Sequence, residues 1–410
     1  MKTSKQIKID RLLGIFNSLF VNVIVRIIGK ILRLNHSLDR QFKTIAVCKY
    51  KGMGSIIQST PLLQTLRIHF PDAHIIYIST DSNKSILSKI HCINEVICIN
   101  DKNVFRLLKS TSKMLILMWK RKIDVFIDLE IYSNFSSLIT TLSLAKNRIG
   151  YYRQSSHYRM GIYTHMMYYN IKAPISNVYL QMANLFLCKE THTNIFPIEC
   201  SLSKEELLLR FTIITEYIVI NPNASDLRIE RRWDKNKFIQ LINQINSSFP
   251  QYQIILIGAT NEKFYVDEVY ANIIDKKNVL NLAGRTNLDE LIAVIKYAKI
   301  LITNDTGPMH LAYSLKTKTL ALFGPCSPYQ YGGNDNCYIV YKNVYCSPCV
   351  HEFDVPPCKG NNQCMQLISQ EEVFEMVSNI LLNNTVANNI NKSIVYTSPY
   401  LQELLGLSQR

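Results

Sequence analysis

The chain has 410 residues, and a single hydrophobic core rarely grows past ~250–300 residues, so two domains of ordinary size are expected. Its composition, 47% hydrophobic and 19% charged, excludes a disordered chain and one uniformly embedded in a membrane. Lys and Arg number 46 against 31 Asp and Glu; the net +15 favours a polyanionic partner: nucleic acid, an anionic membrane surface, or phosphorylated sugars and lipids. No helix-turn-helix signature, zinc-finger His pair or aromatic RNA-binding strand motif is found, which argues against nucleic acid.

Residues 12–33 are strongly apolar, but Ser18, Asn22, Arg26, Gly29 and Arg33 recur at three- and four-residue intervals and draw a polar stripe along a helix. Lys2, Lys5, Lys8, Arg11, Lys30, Arg33, Arg40 and Lys43 lie in or beside it. Segment 1–43 therefore reads as a basic amphipathic helix resting in the interface of an anionic membrane, with packing on the protein's own body as the alternative. Its apolar runs fall far short of the ~20 residues a crossing needs, and no small-residue cleavage site of a secretory signal follows.

From residue 44, short β-branched runs alternate with amphipathic stretches. Thr44–Lys49, Ile75–Thr80, Glu95–Ile99 and Ile123–Leu129 read as strands of a doubly wound parallel sheet over 44–190. A helical stretch near Asn177–Cys188 leads into Thr191–Ser203, which holds Pro197 and little periodicity and opens a linker extending to 216. The pattern restarts over 217–383. Tyr217–Ile220, Gln253–Ile257, Asn278–Leu282, Ile300–Thr303 and Thr319–Phe323 read as strands, with helices near Lys235–Ile245, Glu262–Ile274, Leu288–Ala298 and Pro308–Ser314. Two Rossmann-like α/β domains in tandem are predicted, followed by a tail over 384–410 that begins Asn-rich and holds a short helix at Leu401–Leu405.

Seven of the eleven cysteines sit singly in apolar segments, the pattern of buried reduced thiols in a cytosolic protein. The last four read Cys346-x2-Cys349-x8-Cys358-x5-Cys364, a spacing open to zinc, disulfides or free thiols.

In open α/β sheets, ligands bind beyond the carboxyl ends of strands, where helix-start N–H groups meet anions. Thr303-Asn304-Asp305-Thr306-Gly307-Pro308-Met309-His310 has this form. Asp305 and Thr306 are helix-capping types, Gly307 lets a ligand approach the backbone, and Pro308 suits the first helical position. The plain alternative is a well-capped helix. Glu262, four residues past Gly258 at a strand end, suits a ribose hydroxyl or simply the helix dipole.

Asn304–Ala312 together with Thr319–Pro325 resembles the glycosyltransferase family 9 pattern, that of the ADP-heptose:lipopolysaccharide heptosyltransferases. Lys51-Gly52-Met53-Gly54-Ser55-Ile56-Ile57-Gln58-Ser59-Thr60-Pro61, continuing to Phe70-Pro71-Asp72-Ala73, is similar to that family's acceptor-side loop and helix. Ile127–Glu130, Arg148–Tyr151, Asn221–Ser225 and Arg231-Arg232-Trp233 match further segments, so the resemblance spans about residues 44–380. It implies a GT-B architecture of two facing Rossmann-like domains and an inverting transfer from an ADP-sugar, with no metal or cofactor. It also implies donor contacts from Asp305, Thr306, Gly307 and His310, with Arg231 or Arg232 neutralising the leaving diphosphate, a role suited to the planar guanidinium fork.

Ser55 departs from the family, whose well-known members carry there an Asp acting as base toward the acceptor hydroxyl. A serine hydroxyl titrates far above neutrality and itself needs a base. Glu130, just past a strand, is the favoured replacement, and Asp128 the other candidate; Ser55 then positions the acceptor with the N–H groups of Gly52–Gly54. The expected enzyme moves a heptose or related sugar onto an anionic lipopolysaccharide or other bacterial surface glycan, on the inner face of the cytoplasmic membrane. A catalytically silent sugar-nucleotide- or glycan-binding relative, supported by Ser55, and a sugar-nucleotide epimerase of the same architecture are the alternatives.

Overall fold

The structure, a computed structural model, describes residues 19–31, 35–188, 191–224, 228–333, 336–350, 358 and 361–383. The chain divides into two compact units, Met1–Phe196 and Pro197–Arg410.

The first unit is a six-stranded parallel sheet of β1 (Thr44–Cys48), β2 (His74–Thr80), β3 (Glu95–Ile99), β4 (Val125–Asp128), β5 (Asn147–Tyr152) and β6 (His165–Tyr168). Their order is β3-β2-β1-β4-β5-β6. The central strands are apolar on both faces because helices cover both. Ala46, Cys48, Ile76, Ile78 and Phe126 pack against Met114 and Met118 of helix Val104–Arg121 on one side. That helix starts at Asn103, whose side chain accepts the Arg106 N–H, and stops at left-handed Lys122.

The second unit repeats the plan with β7 (Tyr217–Asn221), β8 (Gln253–Leu256), β9 (Val279–Asn281), β10 (Ile300–Asn304), β11 (Thr319–Phe323) and β12 (Cys337–Tyr341), ordered β12-β11-β10-β7-β8-β9. Trp233 is fully buried and donates its indole N–H to the Ile368 carbonyl at 3.0 Å. This ties the strand-end loop to the segment before helix Gln370–Leu381, whose Val373, Val377 and Ile380 complete the core. In each unit the order reverses between two central strands, β1 and β4 or β7 and β10. Connections leave these neighbours in opposite directions and open a crevice at their carboxyl ends, the place where such sheets bind ligands.

Both Rossmann-like sheets were legible, with three strands not anticipated. β5 (Asn147–Tyr152) and β6 (His165–Tyr168) carry Arg148, Gly150 and His165 and show no alternation, and β12 is a sheet-edge strand of five residues. Residues 204–211, assigned to a linker, form a helix capped reciprocally by Ser203 and Glu206. Arg210 of that helix pairs with Glu290 at 2.7 Å, within the second unit. The tail, including 401–405, lies outside the described residues.

A helix over residues 19–31 is present, and it lies on the first unit by its polar stripe. Arg26 Nη2 donates to the Met160 carbonyl at 3.3 Å, and Asn22 bonds the same oxygen. Phe20, Val23, Ile27 and Ile31 are exposed. Residues 35–43 belong to the body: His36 Nδ1 is 2.7 Å from the Lys146 carbonyl, and Leu38 and Phe42 are buried. Among the described residues no helix is long and apolar enough to cross a membrane.

Candidate active site

In the second unit, two asparagines close the switch point. Asn221, ending β7, donates to the hydroxyls of Thr303 and Thr306, each at 3.0 Å. Asn304, ending β10, donates to the Pro222 and Asn223 carbonyls at 3.2 and 2.9 Å and accepts the Trp233 N–H at 3.0 Å. The strand-end loops are thereby fixed to each other before any ligand arrives. Thr306 is the N-cap of helix Gly307–Leu315, but its side chain makes no capping bond to that helix. It instead receives Asn221, and Pro308 occupies the second helical position rather than the first. The helix start therefore presents N–H groups and a positive dipole end that the Thr306 side chain does not cap.

Beside this start, buried Asp305 places Oδ2 3.4 Å from Nη1 of Arg231. Nε of Arg231, Nε of Arg232 and Oδ2 of Asp305 are buried without a hydrogen-bond partner, a concentration that buried polar atoms rarely show. The two arginines, interchangeable in the sequence, separate here. Arg231 serves the switch point, whereas Arg232 stacks 4.1 Å over the Tyr265 ring and donates to the Ala224 carbonyl at 3.1 Å. His310 is buried on the same helix. Burial pulls its pKa down to about 4, with Asp305 opposing and Arg231 reinforcing the fall, so the imidazole is neutral at pH 7. Cys326, buried near Asp305 and Arg231, has its thiol pushed up by burial and stays protonated. Glu262 sits at the end of β8, one strand away, and its Oε2 accepts the Ala259 N–H at 2.8 Å, the capping arrangement.

In the first unit, Cys48 of β1 is the register partner of Asp128 of β4, so Lys49–Lys51 and Leu129–Glu130 leave the sheet side by side. Glu130 Oε2 accepts from Lys49 Nζ at 2.9 Å, and Oε1 accepts the N–H groups of Tyr50 and Lys51 at 2.7 and 3.3 Å. Burial raises the Glu130 pKa, but the Lys49 ammonium and these N–H donors outweigh it and hold the carboxylate below its ordinary value. Glu130 is thus an ionised clamp across the switch point. Ser55, on helix Met53–Gln58, is partly buried beside Tyr179, whose phenol lies close enough to Lys49 and Glu130 to feel both charges. Gly52 turns into this helix at φ 89°, and Lys51 is exposed at its mouth.

Asp128 has a different place. It is fully buried: Oδ1 accepts the Glu130 N–H at 2.9 Å, while Oδ2 accepts from Tyr163 Oη at 2.6 Å and is 3.3 Å from Arg159 Nη2. Fully buried with donors on both oxygens, Asp128 anchors the end of β4 from within the fold.

Lys49, Tyr179 and Cys326 were not singled out in the sequence, and Asn221 and Asn304 stood in the quoted segments without a role. The signal for three of them was there: Lys49, Asn221 and Asn304 each interrupt an apolar run at its carboxyl end, where a polar side chain has little reason to stand unless the strand opens on a site. The eleven cysteines carry free thiols. Cys346, Cys349 and Cys358 lie close enough to Cys364 to add to the burial that pushes its thiol up to about 12. Among the described residues no three His, Cys, Asp or Glu side chains are arranged to hold a metal ion.

Comparison with known proteins bears on both sites. Residues 119–359, more than half of the chain, match the profile of Glycosyltransferase family 9 (heptosyltransferase). The chain is 27% identical over 341 residues to lipooligosaccharide heptosyltransferase 2 of Campylobacter jejuni, covering 81% of this chain and 96% of that protein. Its fold is similar to that of the family 9 glycosyltransferase of Veillonella parvula, with a TM-score of 0.70 and 20% identity over 85% of this chain and 100% of that one. It is similar also to E. coli ADP-heptose LPS heptosyltransferase II, with a TM-score of 0.66 and 20% identity over 83% and 99% of the two chains. Two tandem α/β units, each with a polar site at its switch point, and a family match running through both place this chain in glycosyltransferase family 9, as a sugar-transferring enzyme.

Proposed function

We propose that the protein transfers a heptose, or a related sugar, from an ADP-sugar to a lipopolysaccharide core or another bacterial surface glycan, with inversion and without a metal ion. The observation carrying the proposal is Arg231 held beside Asp305 at the uncapped start of helix Gly307–Leu315. Here the diphosphate lies on the Gly307 end of the helix, and Arg231 takes up the charge that develops as the anomeric carbon–oxygen bond breaks. Neutral His310 contributes hydrogen bonding without adding a second cation, and Asp305 and Thr306 hold the turn in shape. Glu262 serves a ribose hydroxyl of the donor. The names of the relatives, which include an ADP-heptose transferase, support this donor.

On the acceptor side, Lys51 and the Gly52–Gly54 backbone hold an anionic glycan and Ser55 orients its hydroxyl. The hydroxyl oxygen bonds to the anomeric carbon, the sugar–phosphate bond breaks, and the proton passes to Glu130. Glu130 is a weak base, but attack makes the hydroxyl strongly acidic, so late transfer to a weak base suffices. The amphipathic helix within residues 1–43 holds the enzyme to the inner face of the cytoplasmic membrane, where such an acceptor is concentrated.

A thermal-shift panel of ADP, UDP, GDP and CMP tests the donor, because a ligand binding only the folded state raises the melting temperature. ADP is expected to give the largest rise; a preference for UDP or GDP breaks the heptose assignment. The second reading, a silent binding relative, is favoured by Ser55 and by the clamped state of Glu130. ADP-sugar binding with neither transfer nor hydrolysis would establish it.

A further inference from the structure

Helix Val104–Arg121 buries Thr111, Met114 and Met118, packs Leu107, Leu115 and Leu117 partly against the core, and turns its other face outward. At 100° per residue, Val104, Leu108 and Trp119 fall on one outward stripe, with Phe105 and Ile116 beside it. All five are exposed, Phe105 by 75%. Arg106, Lys109, Lys113 and Lys120 form the next stripe around the helix. Residues 102–123 hold seven Lys and Arg and no Asp or Glu. The Trp119 indole donates to the Leu142 carbonyl at 2.7 Å, which joins the helix to a corner where Leu144, held in the left-handed region at φ 58°, is 71% exposed. Large aliphatic and aromatic side chains thus stand outward on this face beside lysines, and exposed apolar surface rimmed by polar residues marks interaction sites.

We propose that this face, the outer side of helix Val104–Arg121 with Leu142 and Leu144, rests on an anionic lipid bilayer. The apolar row enters the headgroup boundary, Trp119 lies at the depth aromatic rings favour, and the lysines pair with acidic headgroups. Charge complementarity selects this occupant. A second copy of the chain packed by two-fold symmetry would oppose lysine to lysine. Nucleic acid answers the lysines but gives Val104, Leu108, Ile116 and Leu144 nothing to bury against. The proposal extends the membrane reading above to a surface that reading does not use, and its test needs neither donor nor acceptor.

The chain has two tryptophans, and Trp233 is fully buried, so acyl-chain quenching reports on Trp119 alone. Full-length protein is mixed with vesicles of phosphatidylglycerol and brominated phosphatidylcholine. Trp emission is expected to fall in wild type and to be unaffected in Trp119→Phe. The Phe105→Ser/Leu108→Ser and Lys109→Glu/Lys113→Glu proteins should each partition about tenfold more weakly, with melting temperatures kept. Vesicle binding without quenching would overturn the proposal, since residues 1–31 would then be the sole anchor. Undiminished partitioning of both double variants would overturn it too. So would loss of a dimer, or of RNA binding, in those variants while vesicle affinity stayed the same.

Discussion

Lys49 and Glu130 are both about nine-tenths buried, and a buried pair is worth most when it is broken. Lys49→Met leaves the Glu130 carboxylate buried with only two backbone donors, and should destabilise the first unit by roughly 3–5 kcal/mol in urea unfolding. Glu130→Gln separates structure from chemistry. If Glu130 is the base, acceptor turnover should fall about 10²–10⁴-fold with acceptor KM little changed. A drop in melting temperature with intact turnover would leave it a clamp only. His310 gives a second, independent residue test. Its folded pKa of about 4 lies below the ~6.5 of an unfolded histidine, so between these values only the unfolded chain takes up the proton. Stability from this site is fully present above pH 6.5 and is lost as pH falls toward 4, by roughly 3 kcal/mol. Denaturant titrations at pH 7.5 and 4.5 should show that loss in wild type and a markedly smaller one in His310→Gln.

At the scale of elements, the central strands were legible because burial on both faces leaves a run such as Ile75-Ile76-Tyr77-Ile78 that nothing but a covered sheet explains. β5 was not, because its sequence answers to a neighbour instead of to a period. A Cβ on Gly150 would come within 2.4 Å of the ring of Tyr163, and Tyr163 is the phenol that donates to Asp128. The glycine is there for a contact that no local pattern encodes. Gly150→Ala should therefore cost about 1–3 kcal/mol and, by shifting Tyr163 off Asp128, loosen the β4 end that carries Glu130. Calorimetry together with acceptor KM checks both parts; a variant unchanged in each would show that Tyr163 can move freely. The same limit hid Lys49 as a functional residue. The lysine is visible in sequence, but its partner stands 81 positions away and meets it only because β1 and β4 are neighbours. Ser55 was found by resemblance, and its place beside Tyr179 was likewise beyond local reading. The turn at Asp305–His310 could be read as one unit because its glycine, proline and histidine lie within six residues, although Thr306 makes no capping bond and Pro308 stands second in the helix.

For the whole molecule, the +15 charge and the helix over residues 19–31 both bear on the proposed membrane contact. An amphipathic helix on a soluble body ordinarily buries its apolar stripe; here Asn22 and Arg26 hold the protein and Phe20, Val23, Ile27 and Ile31 face outward. That orientation costs burial unless a second apolar phase covers the stripe. Removing residues 1–34 is the proper deletion, because Leu38 and Phe42 already belong to the core and Phe42 packs edge-on against Phe70 at 5.4 Å. The shortened chain should keep its ADP-induced thermal shift, since the donor turn lies wholly in the second unit. Its sedimentation with phosphatidylglycerol vesicles at ~0.15 M salt should fall by an order of magnitude or more, through loss of both the apolar stripe and the basic residues around it. Binding that remains should weaken as salt is raised, because lysines at a lipid surface are screened over a Debye length of ~8 Å at that ionic strength. Equal sedimentation of the two chains would show that the helix does not anchor the enzyme, and would leave the +15 charge to serve the anionic acceptor alone.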